Sequence, residues 1–400
     1  MRDKLTIGEF NDSFMPVMDG VVNVLNNYTI ELNRLGHHAY AIVPGYSDEP
    51  DYDREHGITY AIRGKEHYPL KSLRPYGITT FPHDVRKEIE SIPFDIVHAH
   101  CPTFSGEFAL KLSREKNIPL VSTFHTFFKD DLKELVPDFL AEQIVKMRMS
   151  FYYKCDEVWT PSEASRRKMQ TEYYYTGEIR VVENCADFVP PKDDEEFEER
   201  KRRGRELCGV HDDTPILLFV GQHKDEKNIP LTLETIKELK ARGLRFRMVF
   251  VGEGHRKQYY EEYVRDNNLS DCVTFLGRFT DREKLADVYA SGYLFLFPSL
   301  YDVSCVVMRE AAAFSLPLVF AEGSCTSEGV IDGENGFLVK CNVKDYADKL
   351  EYLLNHPEVR NHAGDGARRT IYRSWGDVTK KVEELYYEII ENRKRKETAK

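Results

Sequence analysis

Short apolar runs alternate with helix-length amphipathic runs along the whole chain. In the first half, six runs predict buried strands at Leu5–Phe10, Ala39–Val43, Asp95–Ala99, Leu120–Phe124, Glu157–Thr160 and Ile179–Val182. The runs between them predict helices at Val21–Leu35, His83–Ser91, Gly106–Lys116, Asp130–Tyr153 and Ser162–Tyr175. Strands that alternate with helices are typical of a parallel sheet with helices on both faces.

The same alternation restarts after a charged segment. Phe188–Gly209 carries two prolines and the charge run Lys192–Arg205, which is either a disordered linker or, as we favour, a surface helix. Further strands are predicted at 216–220, 246–251, 273–275, 294–297 and 318–320, with helices at 230–241, 256–267, 282–290, 304–314 and 344–354. We therefore predict an α/β fold of two doubly wound domains, residues 1–185 and 186–375.

Residues 376–400 are predicted to form a C-terminal helix. Its apolar residues fall on one stripe, which indicates packing, and we expect the first domain to be the partner. The stripe contains Val382, Leu385, Tyr386, Ile389 and Ile390.

Composition narrows the class of protein. With 67 acidic and 56 basic residues, the formal net charge of −11 argues against a nucleic-acid partner. No apolar run approaches the roughly 18 residues of a membrane span, and no secretory signal is visible. The eight cysteines are scattered without a C-x-x-C pair, so we expect neither disulfides nor a structural zinc site. These features indicate a cytoplasmic enzyme.

Two acids separated by seven residues form the strongest candidate site. Asp302 precedes a predicted helix and Glu310 lies inside it. The helix N-terminus near Ser304–Val306 offers unpaired N–H groups that suit a phosphate. Alternatively, Asp302 or Ser304 only caps the helix and Glu310 is a surface acid. The apolar neighbours of Glu310 favour a functional role, because an acid inside such a helix needs a partner.

This pattern resembles glycosyltransferase family 4, whose acid-x7-acid signature usually has Glu at both ends. The resemblance implies a GT-B fold, in which two Rossmann-like domains face each other across a cleft. It also implies that Glu310 holds the ribose hydroxyls of a nucleotide sugar, that Asp302 contacts the donor sugar, and that Ser304, Cys305 and Val306 bind the donor. Asp302 departs from the family pattern by one methylene.

The segment after the first strand of the second half also resembles the family. The family places an Arg and a Lys here, and both reach the donor diphosphate. Lys227 matches the Lys, whereas Gln222 replaces the Arg and lowers the local positive charge. His223 or Lys224 could compensate for that loss. The alternative for Lys227 is an ordinary solvated lysine.

Four further positions resemble weaker family motifs. Gly252 lies in a strand–turn that approaches the nucleotide, and Arg278 lies near its base. Gly20 lies in the family's glycine loop at a helix start, and His125 occupies the position of a histidine that approaches the donor sugar. Turns and an ordinary helix capped by Asp19 explain the glycines equally well.

His98 and His100 end another predicted strand. We expect their rings to point apart, so that at most one of them is functional, and we expect His98 to be structural.

The resemblance implies sugar transfer with retention of the anomeric configuration. Cleavage leaves an oxocarbenium-like sugar and a charged diphosphate, which preorganised donors stabilise. We expect Lys227, the Ser304–Val306 helix start and the Gly20 loop to do so without a metal or other cofactor. Asp51-Tyr52-Asp53 spells the metal-binding D-x-D pattern of other transferases, but it does not follow an apolar strand.

The acceptor is an unidentified hydroxyl compound. Phe127-Phe128-Lys129 and the helix from Asp130, which carries Lys133, Lys146 and Arg148, could dock on the inner face of a membrane, as expected for a diacylglycerol glucosyltransferase. Alternatively, that helix simply packs on the sheet. UDP-glucose is the expected donor, with GDP-mannose or UDP-GlcNAc in polysaccharide synthesis as alternatives. A nucleotide-sugar epimerase and a non-catalytic nucleotide-sugar binder also stay open.

Overall fold

The computed structural model describes residues 3–17, 19–47, 51–68, 77–129, 136–299 and 305–398. The chain divides into two compact units. The first comprises Met1–Asn184 together with Trp375–Lys400, and the second comprises Cys185–Ser374. The first unit is therefore assembled from both ends of the chain.

Strands and helices alternate through both units. The strands are β1 (Thr6–Phe10), β2 (His38–Val43), β3 (Ala61–Arg63), β4 (Lys65–His67), β5 (Ile78–Thr80), β6 (Ile96–Ala99), β7 (Leu120–Thr123), β8 (Glu157–Thr160), β9 (Arg180–Val181), β10 (Ile216–Val220), β11 (Arg247–Val251), β12 (Val273–Gly277), β13 (Leu294–Phe297), β14 (Leu318–Ala321) and β15 (Phe337–Val339). The described helices are α1 (Gly20–Arg34), α2 (Tyr52–His56), α3 (His83–Ser91), α4 (Phe104–Lys116), α5 (Asp138–Tyr152), α6 (Glu163–Thr171), α7 (Asp194–Leu207), α8 (Ile229–Ala241), α9 (Lys257–Asp266), α10 (Arg282–Ser291), α11 (Val306–Ala313), α12 (Val343–Asn355), α13 (Pro357–Thr370) and α14 (Trp375–Thr398).

A seven-stranded sheet forms the centre of the first unit. Its order is β3-β2-β1-β6-β7-β8-β9, and all of its neighbouring strands are parallel. The strand order reverses between β1 and β6, where Glu9 lies beside His98. Ligands of such sheets bind outside the carboxyl ends of the strands at this reversal. The small β4–β5 pair is antiparallel.

A six-stranded parallel sheet forms the centre of the second unit. Its order is β12-β11-β10-β13-β14-β15, so the reversal lies between β10 and β13. All five residues of Ile216–Val220 are buried, as expected for a parallel strand covered on both faces. Two parallel sheets with a reversal in each confirm the predicted doubly wound α/β class.

The charge run of the second unit is a helix, α7. Arg203 Nε lies 2.7 Å from Asp287 Oδ2, and Arg200 Nη1 lies 3.3 Å from Asp287 Oδ1. Asp287 belongs to α10 and is 5% exposed. At Gly204 a Cβ would lie 1.9 Å from the Asp287 carbonyl oxygen. The glycine therefore allows close packing of two helices, and the favoured interpretation of this segment is confirmed.

The C-terminal helix α14 packs within the first unit. Its predicted apolar stripe is buried, with Val382 and Tyr386 fully so. Tyr386 Oη donates to Glu9 Oε1 at 2.9 Å, and Arg393 Nη1 lies 2.6 Å from Asp156 Oδ1. The predicted return of this helix to the first domain is confirmed.

Candidate functional site

The strand reversal of the second unit brings two loops together. Ser299, just after β13, donates through Oγ to the Glu226 carbonyl at 3.2 Å. Thr326 Oγ1 donates to the Ser299 carbonyl at 2.8 Å. Lys227 Nζ lies 5.3 Å from the centre of the Phe297 ring at the end of β13. Lys227 therefore lies near the carboxyl end of β13, and its donor contact stays a prediction.

Of the two predicted acids, the structure describes only Glu310. Asp302 and Ser304 lie outside the described residues. Glu310 lies in α11 and is only 4% exposed. Its expected polar partner is present, because Tyr289 Oη donates to Glu310 Oε2 at 2.7 Å and Arg282 Nη2 lies 2.5 Å from Oε1. The surface-acid interpretation of Glu310 is therefore wrong.

Arg282 links Glu310 to the start of the second unit. Its Nη2 lies 3.1 Å from Asp187 Oδ2, and its guanidinium lies 4.3 Å from the Phe188 ring centre. Burial raises the pKa of Tyr289 well above its usual value, and the nearby Glu310 raises it further, so the phenol remains a donor. Arg282 and Tyr289 were not predicted. Both residues lie in the predicted helix before β13, and nothing in the local sequence indicated that they would contact Glu310.

The α11 N-terminus is preceded by Cys305, which is buried, and begins at Val306. The Cys305 side chain makes no capping hydrogen bond, and the first turn carries no acid. Both features are compatible with an anion beside the helix start. Binding at Cys305 and Val306 stays a prediction.

The structure separates the two residues that could compensate for Gln222, and whether Lys224 does so stays a prediction. Gln222 and Lys224 are exposed, whereas His223 is fully buried. Burial lowers the pKa of His223 to about 4, so its ring is neutral at physiological pH. Neither ring nitrogen finds a hydrogen-bond partner within the described chain. His223 therefore does not compensate for Gln222.

The glycine turn after β11 has a steric explanation within the protein. Gly252 has φ = 133°, and a Cβ there would lie 2.0 Å from the Gly221 carbonyl oxygen. A Cβ on Gly254 would lie 2.3 Å from the His223 carbonyl oxygen. These glycines let two loops pack closely at the sheet edge. Arg278 is exposed just beyond β12, and nucleotide contacts by Gly252 and Arg278 stay predictions.

Helix α1 of the first unit begins at Gly20 beside the end of β1. Asp19 Oδ1 accepts hydrogen bonds from the N–H groups of Val21 and Val22, each at 2.8 Å. The capping interpretation of Asp19 is therefore confirmed. Among the residues that the structure describes, a Cβ at Gly20 would meet no atom within 4 Å, so none of them fills the space beside this helix start. A donor contact at Gly20 stays a prediction.

The histidines after β6 and β7 form one hydrogen-bonded group. His125 Nε2 lies 2.9 Å from His100 Nδ1, and His100 Nε2 lies 2.7 Å from Glu9 Oε2. The expectation that His98 and His100 point apart is wrong, because their rings stack at 4.2 Å and residues two apart on a strand share one face. His98 is buried between Tyr386 and Thr123, as expected for a structural residue.

Within the described chain, one group of potential metal ligands has its ligand atoms within 4.8 Å of one another, namely Glu9, His98 and His100. These atoms bond each other and Tyr386 at hydrogen-bond distances. We therefore interpret the cluster as a hydrogen-bond network. Asp53 of the D-x-D segment instead pairs with Arg63, whose Nε lies 2.8 Å from Asp53 Oδ2.

The predicted membrane segment is divided between core and surface. Phe127 and Phe128 are 8% and 7% exposed, so the expectation that they form an exposed face is wrong. Phe128 packs edge-on against Phe124 and Tyr173. The inner side of α5 buries Ala141, Val145, Met149, Phe151 and Tyr152, so the helix does pack on the unit. Lys133 lies outside the described residues, and Arg148 lies 5.1 Å from the Phe128 ring centre.

The outer side of α5 exposes large apolar residues. Phe139 is 72% and Met147 66% exposed, and Tyr174 nearby is 75% exposed. A cavity of about 470 Å³ is lined by Tyr153 and Tyr174, and its charged residues are Lys129, Lys146, Glu142 and Glu172. Within the described residues, no helix has the length and apolar character required to cross a bilayer.

Comparison with known proteins identifies both units. The family described as Glycosyltransferase Family 4 matches residues 18–188, and the family described as Glycosyl transferases group 1 matches residues 203–370. An alpha-monoglucosyldiacylglycerol synthase of Acholeplasma laidlawii is 22% identical over 98% of this chain and 99% of its own. A GDP-mannose-dependent alpha-mannosyltransferase of Mycobacterium tuberculosis is 24% identical over 97% of each.

A solved structure shares the fold. The crystal structure of Anabaena Alr3699/HepE in complex with UDP and glucose covers 95% of this chain and 99% of its own, with a TM-score of 0.68 and 16% identity. The two matched families together span most of the chain, and both are families of transferases. The protein is therefore a hexosyltransferase with a GT-B fold that belongs to glycosyltransferase family 4 and uses a nucleotide sugar.

Proposed function

We propose that this enzyme transfers glucose from UDP-glucose to a lipid hydroxyl, with diacylglycerol as the acceptor and with retention of anomeric configuration. The donor part of the proposal is supported by the environment of Glu310. This residue is buried in α11, the helix that follows β13, and it is held by Arg282 and Tyr289. A carboxylate fixed in this way can accept hydrogen bonds from the two ribose hydroxyls without reorganising.

The leaving diphosphate requires positive charge, and the proposal gives this role to Lys227 and the start of α11. Lys227 lies beside the end of β13, and α11 follows that same strand. Fixed donors of this kind stabilise developing negative charge without a metal ion. Asp302 would contact the donor sugar, and the leaving phosphate would take the acceptor proton. Chelation by EDTA should then leave the transfer rate unchanged, and restoration of a lost rate by Mg²⁺ would contradict this part.

The acceptor part rests on the outer side of α5 and on the product named for the Acholeplasma relative. Phe139 and Met147 supply apolar surface, and Lys129 and Lys146 line the cavity together with Glu142 and Glu172. Such a face suits a bilayer interface, where apolar side chains enter and lysines meet lipid phosphates. Diacylglycerol resides in that interface.

A donor and acceptor matrix tests the proposal. Purified enzyme is incubated with UDP-glucose, UDP-GlcNAc or GDP-mannose, with or without vesicles that contain diacylglycerol, and both nucleoside diphosphate and glycolipid are measured. We expect glycolipid only with UDP-glucose and diacylglycerol, and an α-linkage by NMR. Transfer from GDP-mannose would instead favour the activity named for the Mycobacterium relative. Equal turnover without vesicles would contradict the lipid acceptor.

A further inference from the structure

A fully buried acid lies at the centre of the first unit. Glu9 belongs to β1, has no exposed surface, and lies beside His98 of the neighbouring strand β6. Carboxyl groups are rarely fully buried unless they are paired. The glycosyl-transfer scheme proposed above gives Glu9 no role, so its burial needs another explanation.

Six side chains form one continuous hydrogen-bonded chain through Glu9. Thr123 Oγ1 lies 2.7 Å from His98 Nε2, and His98 Nδ1 lies 2.7 Å from Tyr386 Oη. Tyr386 Oη donates to Glu9 Oε1 at 2.9 Å. Glu9 Oε2 lies 2.7 Å from His100 Nε2, and His100 Nδ1 lies 2.9 Å from His125 Nε2. Within the described chain no protein group bonds the remaining nitrogen of His125, a residue that is neither fully buried nor fully exposed.

The surroundings of Glu9 keep its partners neutral. Burial lowers the pKa of His100 to about 3, and burial followed by the nearby His100 lowers the pKa of His125 well below 6.5. Burial also raises the pKa of Glu9 to about 8, although the Tyr386 hydrogen bond partly opposes this. Among described residues, the histidines are the only ion-pair partners that face Glu9, and the tyrosines close to this group are Tyr386 and Tyr28.

Because Tyr386 donates to Glu9 Oε1, the proton of a neutral Glu9 lies on Oε2, and this fixes the arrangement of protons between Glu9 and His125. A protonated Glu9 donates from Oε2 to His100 Nε2, so the His100 proton is on Nδ1 and is donated to His125 Nε2. The His125 proton must then be on Nδ1. The hydrogen bonds on the other side of Glu9 fit the same proton arrangement, in which Thr123 donates to His98, His98 donates to Tyr386, and Tyr386 donates to Glu9.

We propose that Glu9 and His100 are positioning residues that fix the tautomer of His125 and thereby make its outer nitrogen a hydrogen-bond donor toward an oxygen of the sugar donor. This role rests on the proposed function, since it assumes that His125 meets the donor sugar. The tautomer itself is a property of the free protein.

Loss of one proton reverses the arrangement without exposing Glu9. The Glu9 proton moves to His100 Nε2, the His100 proton moves from Nδ1 to His125 Nε2, and the His125 Nδ1 proton leaves to solvent. One proton leaves at the exposed end, and Glu9 becomes a buried carboxylate that accepts from His100 and Tyr386. His125 Nδ1 then changes from donor to acceptor.

Nitrogen-15 NMR of histidine-labelled protein from pH 6 to 9.5 tests the tautomer. The His125 signals are identified by their loss in His125→Asn. We expect the wild type to carry its proton on Nδ1 at pH 6.5 and to switch to Nε2 with a midpoint near pH 8. In Glu9→Gln the amide donates to His100 at every pH, so His125 should not switch. A wild-type His125 with one tautomer throughout, or a Gln variant that switches at the same pH, would overturn the proposal.

Two further variants keep the test informative if Glu9→Gln fails to fold. Tyr386→Phe removes a hydrogen bond that lowers the Glu9 pKa, so the midpoint should move to higher pH. Thr123→Val removes only the hydroxyl that bonds His98, on the other side of Glu9, and should leave the His125 midpoint in place. A His125 midpoint that moves in Thr123→Val and stays in place in Tyr386→Phe would contradict the hydrogen-bonded chain.

Activity separates this inference from the proposed function. For the wild type, kcat/KM should fall about fivefold between pH 8 and 9, because a single group with a pKa near 8 goes from about half protonated to about one-tenth protonated. Glu9→Gln should lack this fall. A His125 switch in a protein without glycolipid synthesis would refute the proposed function alone, and glycolipid synthesis without a switch would refute this inference alone.

Discussion

Replacement of Glu310 by Gln tests the donor site most directly. The change keeps the shape of the side chain and removes its charge while Arg282 and Tyr289 remain in place. A hydrogen bond to a charged group contributes about 1.5–3 kcal/mol, and the amide oxygen still accepts one of the two proposed ribose bonds. We therefore expect a loss of about 2 kcal/mol, which is roughly a 30-fold increase in the Kd for UDP.

Stability should change less than affinity. Arg282 retains Asp187 at 3.1 Å, and its side chain is 45% exposed, so solvent compensates for part of the lost attraction. Isothermal titration with UDP and thermal unfolding give the two quantities separately. Glu283→Gln, on a side chain that is 76% exposed, is the matched control and should bind UDP like the wild type. A folded Glu310→Gln protein with wild-type UDP affinity would refute the assignment of this site.

Four other measurements probe separate parts of the structure. Lys227→Met should lower kcat/KM by about 100-fold in the glycolipid assay if a charge-assisted diphosphate contact of about 3 kcal/mol is lost, whereas the exposed Lys224→Met should have little effect. Above pH 6.5 the wild-type Tm should fall toward pH 8, because the folded state keeps the Glu9 proton that the unfolded chain has already released, and Glu9→Gln should abolish this slope. Gly204→Ala should destabilise the protein by about 1–3 kcal/mol in urea unfolding despite the better helix propensity of Ala, since its methyl would overlap the Asp287 carbonyl; an unchanged midpoint would contradict the packing. Phe139→Ser should weaken sedimentation with anionic vesicles severalfold while leaving UDP affinity intact, and unchanged sedimentation would contradict the membrane face.

The parts of the fold that the sequence predicts are those in which apolar residues repeat with a clear period. Strands such as Ile216–Val220 are continuous apolar runs because both of their faces are covered. Helix α13 escaped prediction because its buried side consists largely of small residues. At Gly366 a Cβ would lie 1.9 Å from the Glu334 carbonyl oxygen, so contact here depends on the absence of side chains.

The candidate site was predictable only where chemistry and position coincide. An acid inside the apolar helix at Glu310 required a polar partner, but nothing in the local sequence indicated that Arg282 and Tyr289 would supply it. Their contacts depend on how α10 packs beside α11. His98 and His100 carried a readable signal, because alternate residues of a strand share a face, and Glu9 on another strand was an unmatched acid. Only the strand order brings those three together.

The assembly of the first unit from both chain ends has a consequence for biosynthesis. Glu9 and its partner Tyr386 are 377 positions apart, so at about 5–20 residues per second the ribosome delivers the tyrosine roughly 20–75 s after the acid. Meanwhile the inserted unit can complete its own sheet. The nascent amino-terminal portion must wait with the apolar surface for α14 uncovered, which makes it a natural client for chaperones until translation ends.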